Sequence, residues 1–309
     1  MTQYLKYDYF FNFVITILLS VFLIIFSKKT TILLEHPLGR KDHAKPVPLI
    51  GGIVLFLMTL YVNSYNLNSI NNFILYIVFI IGFIDDLIEI PYYVKLILQS
   101  LAGVFFVTAY HFIFTRNTFI DSFLTFFFFI AVLNAFNLID GINGLLIGIS
   151  IIYFAFTSNF LLLPILLALF ILNITNNLFM GDSGAFLIAY LLISSNKIPL
   201  EFDKLVVFFG YPIYEITSSF MRRLIFSKNP FYPDKFHLHH IGTKKFGHTF
   251  FLILAFSLTA GFLLLSTKKL GLFIYIIISL LIFIFQINFI RNLNDFESVP
   301  ERNDGNFEL

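Results

Sequence analysis

The chain has 309 residues, 58% of them hydrophobic and 12% charged, with 44 phenylalanines and a mean hydropathy of +0.88. Such a composition excludes a soluble domain and describes a multi-spanning membrane protein. Cysteine is absent, so disulfides and thiolate metal sites are excluded, and a net charge of +2 is too small to suggest a nucleic-acid partner.

Apolar runs of near-bilayer length recur at 8–26, 49–63, 72–84, 96–114, 122–136, 144–157, 160–178, 184–196, 204–220, 249–265 and 271–290. They predict an all-α, polytopic membrane helix bundle of about eleven transmembrane helices. The first run lacks a small-residue cleavage site and reads as a retained span. Lys28, Lys29, Arg40, Lys41 and Lys45 follow the first run, and Arg222, Arg223, Lys228, Lys235, Lys244 and Lys245 follow the ninth. The positive-inside rule puts both loops in the cytoplasm, with the N-terminus on the periplasmic side and the C-terminus cytoplasmic. Residues 1–290 are read as one integral membrane domain and 291–309 as a polar, disordered cytoplasmic tail.

On this count four polar motifs share the cytoplasmic face: Asp85-Asp86, Asn137 to Asn143, Gly181 to Gly184, and His237 to His240. A transporter would place its key ionisable groups near the bilayer midplane, on broken helices related by a repeat. No internal repeat is visible. One-sided clustering favours a cytosolic substrate, and an ion-coupled transporter is the rival reading.

The stretch Asn134-Ala135-Phe136-Asn137-Leu138-Ile139-Asp140-Gly141-Ile142-Asn143-Gly144 inserts amides, a carboxylate and glycines between two apolar runs. Polar groups at that depth face a cavity, a partner or a ligand, which makes Asn137, Asp140 and Asn143 site candidates. Asp85 and Asp86 repel each other unless a cation, a shared proton or strong hydrogen bonding compensates, and Lys95 follows ten residues after the first. Adjacent helical positions diverge by about 100°, so both carboxylates serve one site only if one faces inward while the other reaches along the rim. In Gly181-Asp182-Ser183-Gly184 the glycines permit close approach, and Asp182 is a hard oxygen ligand suited to a magnesium-bound phosphate. An ordinary turn explains that tetrapeptide equally well. His237, His239 and His240 sit downstream of Arg222-Arg223, where neutral imidazoles can contact phosphates or hydroxyls, or bind zinc. Phosphoryl transfer requires a divalent ion, cationic side chains and an in-line nucleophile, and the sequence offers each part on one face.

Taken in order, Arg40-Lys41-x-His43, Pro46-Val47-Pro48-x-x-Gly51-Gly52, Asp85-Asp86 with Lys95, Asn134 to Gly141, Gly181-Asp182-Ser183-Gly184 and His237-Leu238-His239-His240 resemble the polyprenyl-phosphate N-acetylhexosamine-1-phosphate transferases. The resemblance implies transfer of a sugar-1-phosphate from a UDP-N-acetylhexosamine to undecaprenyl phosphate in the bacterial inner membrane, with release of UMP. It implies Mg²⁺, replaceable by Mn²⁺, on Asp182 and Asn137. It implies catalytic roles for Asp85, Asp86, Lys95, Asp140 and His240. Substrate contacts then fall to Lys45, Asn143, Arg222, Arg223, His237 and His239. Members of the family commonly dimerise, though no interface is legible in the sequence.

Two positions depart from the pattern. Asn143 stands where most bacterial relatives carry Asp, and Glu215 stands where Asp is expected. The His-Leu-His-His form resembles enzymes that start O-antigen, enterobacterial antigen or teichoic acid chains. The phospho-MurNAc-pentapeptide transferases usually carry three consecutive histidines and are the alternative.

Overall fold

The computed structural model describes residues 2–35, 46–63, 69–229 and 236–291. Its helices are α1 (Thr2–Thr30), α2 (Gly51–Asn63), α3 (Ser69–Ile88), α4 (Tyr92–Ala109), α5 (Thr118–Ile139), α6 (Leu145–Phe156) and α7 (Leu163–Ile174), followed by α8 (Gly181–Ile193), α9 (Phe202–Phe208), α10 (Gly210–Ile225), α11 (Leu238–Phe246), α12 (His248–Ser266) and α13 (Gly271–Arg291). Two short strands, β1 (Leu34–Glu35) and β2 (Val47–Pro48), pair antiparallel between α1 and α2. The protein is therefore an all-α membrane bundle with one small β clip. The polar tail expected after residue 291, and Lys45 in the loop before β2, lie outside the described residues.

Among the described residues six helices are long and apolar enough to cross a bilayer: α3, α4, α5, α12, α13 and the Tyr9–Thr30 part of α1. Their outer faces expose Phe22 and Ile25 on α1, Ile97 and Val104 on α4, and Phe273 and Leu281 on α13, a belt suited only to lipid. The other expected spans are short. α6 and α7 have 12 residues each and α8 has 13, which at about 1.5 Å per residue reaches only about 18–20 Å of a hydrocarbon core of about 30 Å. α8 compensates by lying inside the bundle, with ten of its residues buried, so its ends meet protein and not lipid.

The ninth expected span, 204–220, is not one helix. It breaks at Phe209 between α9 and α10, with Pro212 in the first turn of α10 and Gly210 held against the Phe262 ring. The second half turns polar on its buried face, which carries Tyr214, Glu215, Ser218, Ser219 and Arg222. A uniform hydropathy run conceals such a break, because Phe208, Phe209 and Tyr211 score as span residues and yet are core side chains.

Lipid tails are as apolar as leucine, so helix association within a membrane depends on close packing and internal hydrogen bonds. Both are present. α4 and α5 are joined by a reciprocal amide pair in which Asn134 Nδ2 donates to Gln99 Oε1 at 2.7 Å and Gln99 Nε2 donates to Asn134 Oδ1 at 3.3 Å. Asn134, the first amide of the polar stretch, is thus a structural tie. α2 and α3 close on the first turn of α8 through small residues. A Cβ built on Gly82 of α3 would lie 2.4 Å from the Ser183 nitrogen, so only glycine fits. Gly82→Ala is expected to destabilise the fold by about 1–3 kcal/mol, the usual cost of overpacking. The check is the thermal unfolding midpoint of the purified protein in detergent, and an unchanged midpoint would show that α3 and α8 part without penalty.

The same region is laced by backbone bonds. Phe179 N–H donates to Pro48 O at 2.9 Å, while Gly51 N–H and Gly52 N–H donate to Phe179 O and Met180 O at 2.9 and 3.0 Å. The segment before α2 is thereby fixed beside the segment before α8. These bonds locate the N-terminus of α8, around which the polar motifs gather.

Candidate active site

The chain reverses into α8 through Gly181, whose φ of +67° is a left-handed conformation natural to glycine. The turn exposes the first backbone N–H groups of α8, and Asp86 at the far end of α3 takes them up. Asp86 Oδ1 accepts from Asp182 N–H at 2.7 Å, and Oδ2 accepts from Ser183 N–H at 3.1 Å and Ser183 Oγ–H at 2.5 Å. A carboxylate at a helix N-terminus is favourably placed against the macrodipole and satisfies donors that the helix leaves open. Asp86 is therefore the pin that joins α3 to α8, with both oxygens engaged.

Asp85, one residue earlier, points differently, as helical geometry requires. Its Oδ1 accepts from Ile90 N–H at 3.0 Å, and its Oδ2 accepts from Lys95 Nζ at 2.6 Å. The Lys95 ammonium bridges to Asp182 Oδ2 at 2.5 Å. Asn137 Nδ2 donates to the other Asp182 oxygen at 2.5 Å. Four elements thus meet: Asp85 from α3, Lys95 from α4, Asn137 from α5 and Asp182 from α8. The side chains of Lys95, Asp85 and Asp182 keep 19%, 13% and 21% of their exposure, so the cluster is sheltered and still reachable. Lys95 answers the repulsion between carboxylates anticipated from the Asp85-Asp86 pair.

The residues that follow Asn137 connect this cluster to two others. Asp140, just beyond α5, is half-buried. Desolvation, followed by the negative charges of Asp182 and Asp86, holds its carboxyl well above the usual carboxylate range. Asn143 Nδ2 donates to Asn176 Oδ1, and His248 Nε2 contacts the Asn143 carbonyl at 3.0 Å. Asn173 anchors the turn by accepting from Gly144 N–H at 2.6 Å and donating to Leu178 O at 3.0 Å. His248, at the start of α12, carried no sequence signal beyond the preceding Gly247, a helix-start residue.

The histidine motif caps and begins α11. His237 is buried with Nδ1 2.7 Å from Ser219 Oγ, and its ring stacks on that of His239 at 5.3 Å. His240 is half-buried, its ring 4.4 Å from that of His239. Arg222 is also buried, its guanidinium 5.8 Å from the centre of the Phe236 ring, whereas Arg223 is half-buried. Glu215 and Gln286 are residues whose roles sequence reasoning missed. Gln286 of α13 accepts from Tyr214 Oη–H at 2.9 Å and donates to Phe236 O at 2.7 Å, securing the start of the histidine segment.

Among the described residues no three His, Cys, Asp or Glu side chains form a closed metal cage. Asp182, which accepts from Asn137 Nδ2 on one oxygen and from Lys95 Nζ on the other, offers instead a single hard-oxygen group that an ion would share with these neighbours. That suits Mg²⁺, which usually takes one or two protein oxygens and completes its shell with water and substrate phosphate.

The family model for glycosyl transferase family 4 matches residues 69–196, the segment that carries Asp85, Asp86, Lys95, Asn137, Asp140 and Asp182. An undecaprenyl-phosphate alpha-N-acetylglucosaminyl 1-phosphate transferase of Thermotoga maritima is 34% identical over 276 residues, covering 86% of this chain and 92% of the relative. The chain belongs to glycosyl transferase family 4. Proteins with the same name from Yersinia pestis and Escherichia coli are 28% and 27% identical, over 68% and 73% of this chain. The sequence resemblance to polyprenyl-phosphate transferases thus extends well beyond the motifs, and this member of glycosyl transferase family 4 is a membrane enzyme.

Proposed function

We propose that the enzyme transfers N-acetylglucosamine-1-phosphate from UDP-GlcNAc to undecaprenyl phosphate, releasing UMP and starting a lipid-linked surface glycan. The observation that carries this reading is the convergence of Asp85, Lys95, Asn137 and Asp182 at the end of the bundle. Similarity over most of the chain to enzymes named for that reaction supports it.

In this account an oxygen of the lipid phosphate forms a bond to the sugar-bearing phosphorus of the donor. The bond from that phosphorus to the bridging oxygen breaks, and the oxygen departs with UMP. Lys95 holds positive charge beside the phosphates, and Asp182 and Asn137 are the residues that would hold Mg²⁺. When bound, the ion neutralises charge on the diphosphate oxygens. Asp85 is the carboxylate placed to take a proton from the lipid phosphate, because it is bonded to Lys95 within the cluster whereas Asp86 is turned to the α8 backbone. Asn143, framed by Asn176 and His248, is assigned to the uridine end. His237, His239 and His240 face phosphate oxygens.

We place the site at the cytoplasmic face, because Lys28 and Lys29 follow the first apolar run and Arg222, Arg223, Lys228, Lys244 and Lys245 follow the ninth, and the positive-inside rule assigns those connections to the cytoplasm. The bundle then makes about eleven crossings, with α9 and α10 together as one of them.

Purified protein in detergent, supplied with UDP-GlcNAc and undecaprenyl phosphate, should release UMP only when Mg²⁺ is present. No release with any UDP-N-acetylhexosamine would sink the proposal. Competition among UDP-sugars in the same assay identifies the preferred hexosamine.

A further inference from the structure

We infer that Glu215 is a positioning residue that orients His239 so that its Nε2 meets a phosphate oxygen of the substrate. This rests on the transferase reading above and adds a residue to it.

Glu215 has no solvent exposure, and His239 is 1% exposed. A carboxylate buried in a membrane helix is costly unless it is fully bonded. Glu215 is so bonded. Its Oε1 accepts from His239 Nδ1–H at 3.0 Å, from His239 N–H at 3.2 Å and from Tyr211 Oη–H at 3.2 Å, and its Oε2 accepts from Leu238 N–H at 3.2 Å. Two of these bonds hold the backbone at the start of α11. The bond to Nδ1 does something further, since it fixes which ring nitrogen carries the proton and which way the ring faces.

The other ring nitrogen, Nε2, is buried and has no hydrogen-bond partner among the described residues. Orphaned polar atoms of this kind are uncommon and call for a ligand or another purpose. Nε2 is aimed at the turn after α5. A Cβ built on Gly141 would lie 2.3 Å from it, so the glycine after Asp140 is what admits the ring to the edge of the site. The neighbouring imidazole is held from the same helix, because Ser219 lies one turn beyond Glu215 on α10 and contacts His237 Nδ1 at 2.7 Å. The stacked, near-parallel rings, 2° apart, are thereby set as a pair.

With Nδ1–H given to Glu215, Nε2 is the ring atom left to turn toward the substrate. Nε2 then meets a phosphate oxygen, of the sugar nucleotide or of the lipid, through a shared proton. Glutamate, with one more methylene than the aspartate expected here, reaches from α10 to both the ring and the α11 backbone.

The test uses full-length protein in detergent and four variants: Glu215→Gln, Glu215→Asp, His239→Ala and the double variant Glu215→Gln/His239→Ala. Glu215→Gln should lower kcat/KM by about 10- to 100-fold, the usual range for a group that orients a ligand. The double variant should be no worse than His239→Ala alone, because Glu215 acts through the ring. Glu215→Asp should restore part of the loss. The substrate whose KM rises in Glu215→Gln, UDP-GlcNAc or undecaprenyl phosphate, identifies the phosphate that is met. Wild-type kcat/KM in Glu215→Gln overturns the inference, and so does a loss that multiplies in full with that of His239→Ala. Should Glu215→Gln fail to fold, Glu215→Asp carries the same test against His239→Ala. An active wild type with unaffected variants overturns this inference alone, whereas a wild type inactive with every UDP-sugar overturns the transferase reading as well.

Discussion

Asp182→Ala is expected to abolish turnover, lowering kcat by about 10³-fold or more, while the protein still inserts and purifies as a folded bundle. The separation of effects follows from the geometry. The Asp182 side chain receives Asn137 Nδ2 and Lys95 Nζ and is partly exposed, as a ligand group must be. Its backbone N–H is what Asp86 holds, and that bond survives the substitution. The entry to α8 therefore stays pinned while the hard-oxygen group is lost. Initial rates of UMP release together with a size-exclusion profile check both halves. Normal activity would refute the metal assignment, and aggregation would show that the side chain also supports the fold.

Lys95→Met should have the next largest effect, a loss in kcat of about 10²-fold, accompanied by a change of opposite sign in metal dependence. Lys95 sits between two carboxylates and donates to both, so its removal takes positive charge from the phosphate site. It also frees an Asp182 oxygen from an ammonium that competes with a divalent ion. Half-saturating Mg²⁺ should consequently fall even as the maximal rate drops. Lys95→Arg should be intermediate, since it retains charge without the compact point-donor geometry. A Mg²⁺ requirement that rises in Lys95→Met would mean that the lysine helps to hold the ion site together.

Much of this was legible in the sequence, because hydropathy records each helix and polar interruptions record the site. Ten of the eleven apolar runs coincide with one helix each. Asp85, Lys95, Asn137 and Asp182, chosen from motif chemistry, meet in direct contact. What periodicity does not encode is which helices touch. The capture of the α8 backbone by Asp86 depends on Gly82 and Gly181 bringing two helix ends together, a relation invisible along the chain. The α9–α10 break was hidden for a different reason: its aromatic residues raise hydropathy through core packing. Glu215 was marked only as a departure from a pattern, and its partners lie 23 and 24 residues downstream. The stretch from Asn134 to Gly144 proved to hold several jobs at once. Asn134 ties α4 to α5, Asn137 meets Asp182, Gly141 admits His239, and Asn143 pairs with Asn176.

The central claim is that this cluster moves a phosphate together with its sugar. It is tested most directly with UDP-GlcNAc radiolabelled in its β-phosphate, incubated with the purified enzyme, Mg²⁺ and undecaprenyl phosphate, followed by organic extraction. The account predicts that the label passes into the lipid phase in step with UMP release, and that neither occurs with Asp182→Ala. Label retained in water-soluble UDP while the sugar moves to lipid would contradict it.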